Sequence, residues 1–163
     1  MKGLQIHSGY IPGAIGRITE LHARYYHRYW DFGLFFERKV ADGLTEFLGR
    51  FDDNRDGLWL TLSEDTIVGS IAIDGKSAEQ EGAHLRWFIV DTEIQGSGIG
   101  RTLIERAISF CRECRYPKIY LWTFQGLDAA RHLYESVGFT LGKEIVNDSW
   151  GKRVNEQMFE KDL

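Results

Sequence analysis

Cysteine, proline and methionine are scarce in this chain, with two of each in 163 residues. Cys111 and Cys114 form a single C-x-x-C with no second pair and no histidine nearby in the sequence, so a four-ligand zinc site is not expected. A redox C-x-x-C exploits the start of a helix. These two fall near the end of one and read as small helix residues at i and i+3. Long apolar runs are missing too: none approaches the ~20 residues of a membrane span. The first ten residues, MKGLQIHSGY, lack the apolar stretch of a secretory leader, so a cytoplasmic home is expected. Nor does one sign of charge dominate. Lys and Arg number 20 against 24 Asp and Glu, a net charge of −4, and the mixture lacks the concentrated basic face of nucleic-acid binders. No repeat, low-complexity tract or linker interrupts the chain, and residues 1–163 read as one domain.

Aromatic residues, by contrast, are plentiful: five Trp, seven Tyr and ten Phe. A chain of this length buries about 70% of the surface its unfolded form exposes, so a substantial core is expected. The stretch that organises the rest spans residues 85–101, LRWFIVDTEIQGSGIGR. Leu85, Trp87, Phe88, Ile89 and Val90 make a nearly continuous apolar run, the pattern of a strand covered on both faces. Gln95, Gly96, Ser97, Gly98, Ile99, Gly100 and Arg101 follow, with glycine alternating with other residues before a helical pattern begins. Glycine admits positive φ and lets the backbone approach a ligand closely. Unpaired N–H groups opening the next helix, aided by its dipole, form a ready site for phosphate. A dinucleotide fingerprint is ruled out, because counting from Gly96 the third glycine of G-x-G-x-x-G falls on Arg101. A P-loop would need a lysine that is not there. The remaining pattern, Q-x-x-G-x-G on Gln95, Gly98 and Gly100, resembles the acyl-coenzyme A loop of the GNAT superfamily of N-acetyltransferases.

In chain order, residues 4–7 alternate weakly and predict a short edge strand. Pro12 sits where a first helical turn accepts it. Ile15, Ile18, Leu21, His22, Tyr25, Tyr26 and Tyr29 recur at spacings of three and four, marking an amphipathic helix. Its tail crowds Tyr25, Tyr26, Tyr29, Trp30 and Phe32 before Gly33, rings that suit either a core stripe or the wall of a ligand cleft. A second stripe of Phe35, Phe36, Val40, Leu44, Phe47 and Leu48 ends at Gly49. Residues 58–62 and 66–73 read as a hairpin turned at residues 63–65. Residues 75–82 form a hydrophilic loop ahead of the strand Ala83–Val90. Beyond the glycine loop, Ile99, Leu103, Ile104, Ala107, Ile108 and Cys111 share one face of a helix that Pro117 terminates. Lys118–Phe124 is a strand, and residues 128–137 are a helix capped by Gly138. Residues 139–146 and 154–159 are the last strands, either side of a turn at residues 147–151. Hairpin pairs are antiparallel, whereas the fourth and fifth strands, joined by a helical crossover, should be parallel. The expected class is α/β, as an α+β mixed sheet: about seven mostly antiparallel strands, covered on both faces by about four helices.

A second motif, A-x-x-L-Y-x-x-x-G-F from Ala130 to Phe139, also resembles the GNAT superfamily. The two motifs stand in that family's order, separated by one helix and one strand, and together cover residues 85–139. LHARYYHRYW, HLRWFIV, LWTFQGLDAARHLY and the terminal EQMFEK look like the acetyltransferase domain often joined to a MarR-type winged-helix DNA-binding domain. A chain starting at the acetyltransferase part is expected to lack that DNA-binding half. The resemblance implies a GNAT fold with the fourth and fifth strands splayed, and acetyl-CoA (coenzyme A) as the cofactor. It implies direct transfer of the acetyl group to an amine; the first two helices, placed to close the cleft, favour the primary amine of a small molecule or amino acid over a protein lysine. One position departs from the family pattern. Seven before Tyr134, where an Asn often contacts the cofactor, stands Leu127, with Asp128 or Gln125 as substitutes.

Under that resemblance, the N–H groups of residues 95–101 hold the pyrophosphate and Arg101 adds positive charge. The backbone of Phe88, Ile89 and Val90 pairs with the pantetheine amides as an added strand does, and Asp128 and Arg131 complete the expected cofactor contacts. The strands Ala83–Val90 and Lys118–Phe124 must part, at a bulge, to make room. An alkyl amine has a pKa near ~10.4, so presenting it neutral at pH 7 costs about 4–5 kcal/mol. A carboxylate, a histidine or an ordered water must take its proton. Glu37 and His84 are the candidates, with Asp31 behind them. Tyr134, a phenol that stays protonated at pH 7, is the candidate donor to the departing thiolate, the role the resemblance gives the tyrosine of this motif. For the acceptor, the aromatic residues of 25–36, Tyr25 and Trp30 among them, with Asp31 and Glu37 suit a cation held by ring faces and carboxylates. Arg86, with His84 and Arg28, suits an acceptor that carries a carboxylate as well. No metal is expected. The expected partner is a small-molecule amine, with no direct contact to nucleic acid or membrane and a homodimer left open. The competing reading is a non-catalytic acyl-CoA sensor working with a separate DNA-binding partner.

Overall fold

The computed structural model describes residues 3–163. Met1 and Lys2, where the leader reading and the 1–163 domain reading begin, lie outside the described residues. The elements run β1 (Gln5–Ser8), α1 (Ala14–Trp30), α2 (Leu34–Gly49), β2 (Gly57–Ser63), β3 (Thr66–Asp74), a one-turn α3 (Ala78–Glu81) and β4 (Ala83–Val90). A 3-10 turn (Thr92–Ile94) then leads into α4 (Ile99–Glu113), β5 (Lys118–Phe124), α5 (Asp128–Ser136), β6 (Thr140–Asn147) and β7 (Val154–Asp162). The strands form one sheet of seven in the order β1-β2-β3-β4-β5-β7-β6. Every neighbouring pair is antiparallel except β4 with β5. The expected mixed sheet is therefore present. Four long helices flank it, and α3 adds one turn inside the stretch read as a hydrophilic loop.

Each face of the sheet carries its own core. On one side α4 and α5 bury Leu103, Ile104 and Tyr134 against Leu85, Ile119, Leu121 and Phe159. On the other, α1 and α2 bury Ile18, Leu44 and Phe47 against Leu58, Leu60, Ala72 and Phe124. Strands β2 and β3 are covered on both sides and so read as continuous apolar runs rather than alternating ones. A fully buried side chain of this size stabilises the fold by about 1.5–3 kcal/mol.

Three local expectations are corrected. Pro12 does not open α1: the helix begins at Ala14, after Gly13 in a left-handed conformation (φ 91°). Pro117 does not end α4 either. The helix stops at Glu113, where Arg115 turns left-handed (φ 59°) and the Tyr116 N–H bonds the Cys111 carbonyl at 3.0 Å. Tyr29 and Phe35, read as parts of apolar stripes, are 54% and 58% exposed.

The feature that shapes the rest of the molecule lies between β4 and β5. They pair only at Ala83 with Ile119 and His84 with Tyr120, then separate. The β3–β4 register slips between Ser70 and Ala72, opposite Trp87, which has φ 46°. Such a bulge bends a strand and re-aims its side chains. Arg86 and Trp87 consequently face the same way. A β-carbon placed on Gly43 of α2 would lie 3.3 Å from one and 3.1 Å from the other.

Candidate active site

The parted strands open a cavity of about 730 Å³. Its walls come from β4 and β5, from α1 and α2 on one side, from the starts of α4 and α5 on the other, and from Trp150. Of the residues singled out in the sequence, Tyr25, His84, Arg86, Phe88, Ile89, Val90, Gln95, Gly96, Ile99, Gly100, Asp128 and Tyr134 line it.

At the α4 end the chain is built around missing partners. The Asp91 carboxylate accepts the Glu93 N–H at 3.1 Å and starts the 3-10 turn. Gly96 and Gly98 then take φ 81° and 87°, conformations that L side chains rarely adopt. The Ser97 N–H bonds the Ile94 carbonyl at 3.3 Å. The N–H groups of Gln95, Gly96, Gly98, Ile99, Gly100 and Arg101 meet no acceptor among the described residues. These orphan donors stand at the positive end of α4, on exposed or half-buried backbone, and they fit a diphosphate. Beyond His84, β4 has no strand on its β5 side, so residues 88–90 offer a free edge. Space is also kept at Gly100, where an added β-carbon would reach Leu133 and Phe88 at 3.6 Å.

Other expected cofactor residues lie outside the cavity wall. Ser97 and Gly98 sit on the exposed outside of the loop. Arg101 donates to the Ser136 hydroxyl at 2.8 Å and pairs with Glu105 at 3.6 Å, which ties α4 to α5. Arg131 pairs with Glu135 at 2.7 Å and lies over the Phe159 ring. Asp128 and Leu127 both reach the cavity, whereas the Gln125 side chain is turned to Asn155.

The carboxylates considered as bases are not in the cavity. Asp31 caps α1 in a left-handed conformation (φ 55°), which swings it out to Lys152 at 2.8 Å. Glu37, in the first turn of α2, is exposed. Trp30 also stays off the wall, packed on Phe32 and Phe124. His84 is inside, stacked on Tyr120 with centroids 4.5 Å apart. Burial, reinforced by the Arg86 charge and opposed by Asp74, pulls its pKa down to about 3.

Tyr134 is packed among Phe88, Phe139 and Phe159 and is 6% exposed. Its hydroxyl has no hydrogen-bond partner among the described residues, yet is not sealed from solvent. Burial raises its pKa, so the phenol holds its proton at neutral pH. Tyr26 faces it from α1, its own pKa raised by burial and further by Tyr134.

Two residues escaped the sequence reading. His22 on α1 lines the cavity and lies parallel to the Tyr26 ring. Its Nδ1 is 2.8 Å from the Ile18 carbonyl, which can only accept, so Nδ1 carries the proton and Nε2 keeps a lone pair. Burial lowers its pKa to about 4. The available signal was its place on the same helical stripe as Tyr25 and Tyr26. Trp150 is the second, brought to the cavity by the β6–β7 turn. Its Nε1–H donates to Glu156 at 2.6 Å, with Lys39 over its ring.

Comparison with known proteins gives one family. The profile described as the acetyltransferase (GNAT) family matches residues 16–139. Human N-acetyltransferase 8B is 27% identical over 100 residues, which cover 60% of this chain and 44% of that protein. The N-acetylaspartate synthetase of Xenopus tropicalis is 35% identical over 81 residues, 50% of this chain and 30% of that one. The matched stretch thus spans less than half the length of either relative. Among solved structures, YncA from Salmonella typhimurium, solved with acetyl-CoA, superposes with a TM-score of 0.74 at 16% identity. That superposition covers 98% of this chain and 94% of YncA.

Proposed function

The chain belongs to the acetyltransferase (GNAT) family, and we propose that it moves the acetyl group of acetyl-CoA onto the primary amine of a small molecule or amino acid. The observation that carries this reading is the row of unpartnered N–H groups at residues 95–101, set beside a parted β4–β5 pair. Two of the relatives are N-acetylaspartate synthetases by name, which supports an amino-acid acceptor.

When bound, acetyl-CoA supplies an acyl thioester whose attack by an amine forms an amide and frees the thiol. The chain's own groups do the rest. The N–H donors of residues 95, 96 and 98–101 hold the diphosphate through charge-assisted bonds. The free edge of residues 88–90 takes the pantetheine amides in strand fashion and points the chain of the cofactor into the gap. The Tyr134 O–H donates to the departing sulfur. His84 and His22, both neutral, set ring nitrogens on the acceptor side; with pKa values lowered to about 3 and 4 they hydrogen-bond the amine and pass its proton on toward solvent rather than hold it. Aromatic walls from Tyr25, Tyr26, Phe36 and Phe124 exclude water from the attack.

Calorimetry with coenzyme A, followed by thiol release from acetyl-CoA in the presence of an amine panel, tests the reading. Micromolar binding and amine-dependent thiol release are expected. No binding would overturn it. Tight binding with no acceptor turned over would favour the sensor instead.

A further inference from the structure

On the α1/α2 side of the gap the cavity wall is made of rings, two imidazoles and one guanidinium. Tyr25, Tyr26, Phe36, Trp87, Phe124 and Trp150 supply apolar surface, and His22, His84 and Arg86 supply polarity. Among the described residues lining the cavity the single carboxylate is Asp128, at the start of α5 on the cofactor side. A dication or polyamine would find no counter-charge in this chamber and would meet Arg86 instead.

Arg86 is placed as a receptor for an anion. One of its N–H groups donates to Asp74 at 3.2 Å. That carboxylate is already gripped at both oxygens by Arg50, at 2.7 and 3.1 Å. Glu46 in turn is committed to Arg50 at 2.6 Å. Arg86 therefore shares a carboxylate that another cation holds more tightly, and its remaining donors have no partner in the described protein. They are not sealed from solvent. The guanidinium also lies 4.0 Å from the Trp87 ring centroid, and α2 backs it at Gly43. With Nη1 on Asp74 and Nη2 against α2, the guanidinium is fixed at the cavity wall with donors to spare, and a planar guanidinium can take a carboxylate in bidentate fashion.

We propose that the acceptor is an amine that also carries a carboxylate, of the α-amino-acid class, with Arg86 binding that carboxylate while the amine faces Tyr134 across the gap. The inference rests on the acetyl-transfer reading and narrows it. Arg86 acts as the specificity-determining residue: it touches the acceptor's fixed anion and not the bond that is made.

The test uses the full chain, acetyl-CoA and matched acceptor pairs: L-phenylalanine against phenethylamine, L-leucine against isoamylamine, L-methionine against its decarboxylated amine, and the other natural L-amino acids. At least one amino acid should be acetylated with kcat/KM about 100-fold or more above its decarboxylated partner, the scale of losing a charge-assisted pair. Arg86→Lys, which keeps the charge but loses the fork, should narrow that ratio about tenfold, mainly through KM. A second readout needs no turnover. Quenching of tryptophan emission by the same amino acid in coenzyme A-saturated protein should weaken in the variant by a similar factor. The heat of coenzyme A binding, measured on each preparation, separates failure of this inference from failure of the transferase reading. Bound coenzyme A with decarboxylated amines turned over as well as the acids, or with no amino acid turned over, overturns it.

Discussion

The Ser70 hydroxyl donates to the Trp87 carbonyl at 2.6 Å, from a fully buried position on β3 to the bulge on β4. This bond holds the irregular residue whose left-handed conformation sends β4 away from β5. Ser70→Ala would leave a carbonyl inside the sheet without its donor, at a cost of about 1–3 kcal/mol. For a chain of this size that lowers the melting temperature by roughly 2–4 °C per kcal/mol. Coenzyme A affinity should fall with it, because the gap depends on the bulge. A variant that melts earlier but binds coenzyme A unchanged would show that the bond serves only the fold.

Tyr134→Phe removes one oxygen from a ring that keeps its contacts with Phe88, Phe139 and Phe159. Its hydroxyl has no hydrogen bond in the described protein to lose, so stability should stay within about 0.5 kcal/mol. Loss of a positioned acid typically costs 10²–10⁴-fold in rate, and kcat should fall by about that much with coenzyme A affinity little changed. Single-turnover thiol release beside calorimetry decides it. An unaltered kcat removes Tyr134 as the donor.

Patterning of single segments carried most of the fold. The apolar runs of β2, β3 and β5, the stripe on α4 and the glycines after β4 are local signals, and the elements lie where those signals place them. The position of β7 between β5 and β6 is not local. One edge of β7 pairs with β5, from Lys118 opposite Asp162 to Phe124 opposite Glu156, and its other edge pairs with β6, from Thr140 opposite Glu160 to Asn147 opposite Val154. The end of α4 was misread because Pro117 is a visible breaker, whereas the left-handed Arg115 is not. In the site, the glycine pattern pointed to the loop whose N–H groups the structure leaves without partners. The acid–base residues were harder. Asp31 and Glu37 carry the right chemistry but sit at helix ends that turn them outward, and periodicity says little about the last turn. His22 hid in plain sight, because an imidazole on an apolar stripe reads like core until the neighbouring strands part.

Gly98→Ala isolates backbone conformation from packing. An added β-carbon there meets nothing within 4 Å, but φ 87° is strained for any L side chain. The strain is about 1–2 kcal/mol, and relieving it would rotate the N–H groups of the cradle. Coenzyme A should bind about tenfold more weakly, with the melting temperature lowered by no more than a few degrees. Gly16→Ala is the contrast: equally open, inside α1 and without positive φ, it should stabilise by about 0.5–1 kcal/mol. Equal coenzyme A affinity in the Gly98 variant would mean that those amides do not grip the diphosphate.

Two imidazoles, His22 buried and His84 half-buried on the cavity wall, set the response to acid. His22, against the Ile18 carbonyl and Tyr26, titrates near 4, and His84, beside Arg86, Asp74 and Tyr120, near 3. An unfolded histidine titrates near ~6.5, so between that value and the folded one the unfolded chain binds more protons. Stability is therefore complete above about pH 6.5 and is lost as the pH falls through this window toward 4. At pH 5 each imidazole accounts for about 2 kcal/mol relative to pH 7.5. Carboxylates such as Asp74, which burial pushes up but the hydrogen bonds from Arg50 and the Lys76 N–H hold low, lose their contribution only at more acid pH and do not mask the effect. Urea unfolding at pH 7.5 and pH 5 should give a difference of about 4 kcal/mol, halved in His22→Gln or His84→Gln where those variants fold. Stability that is flat or rises on acidification would show that the two rings are not held neutral in the folded chain.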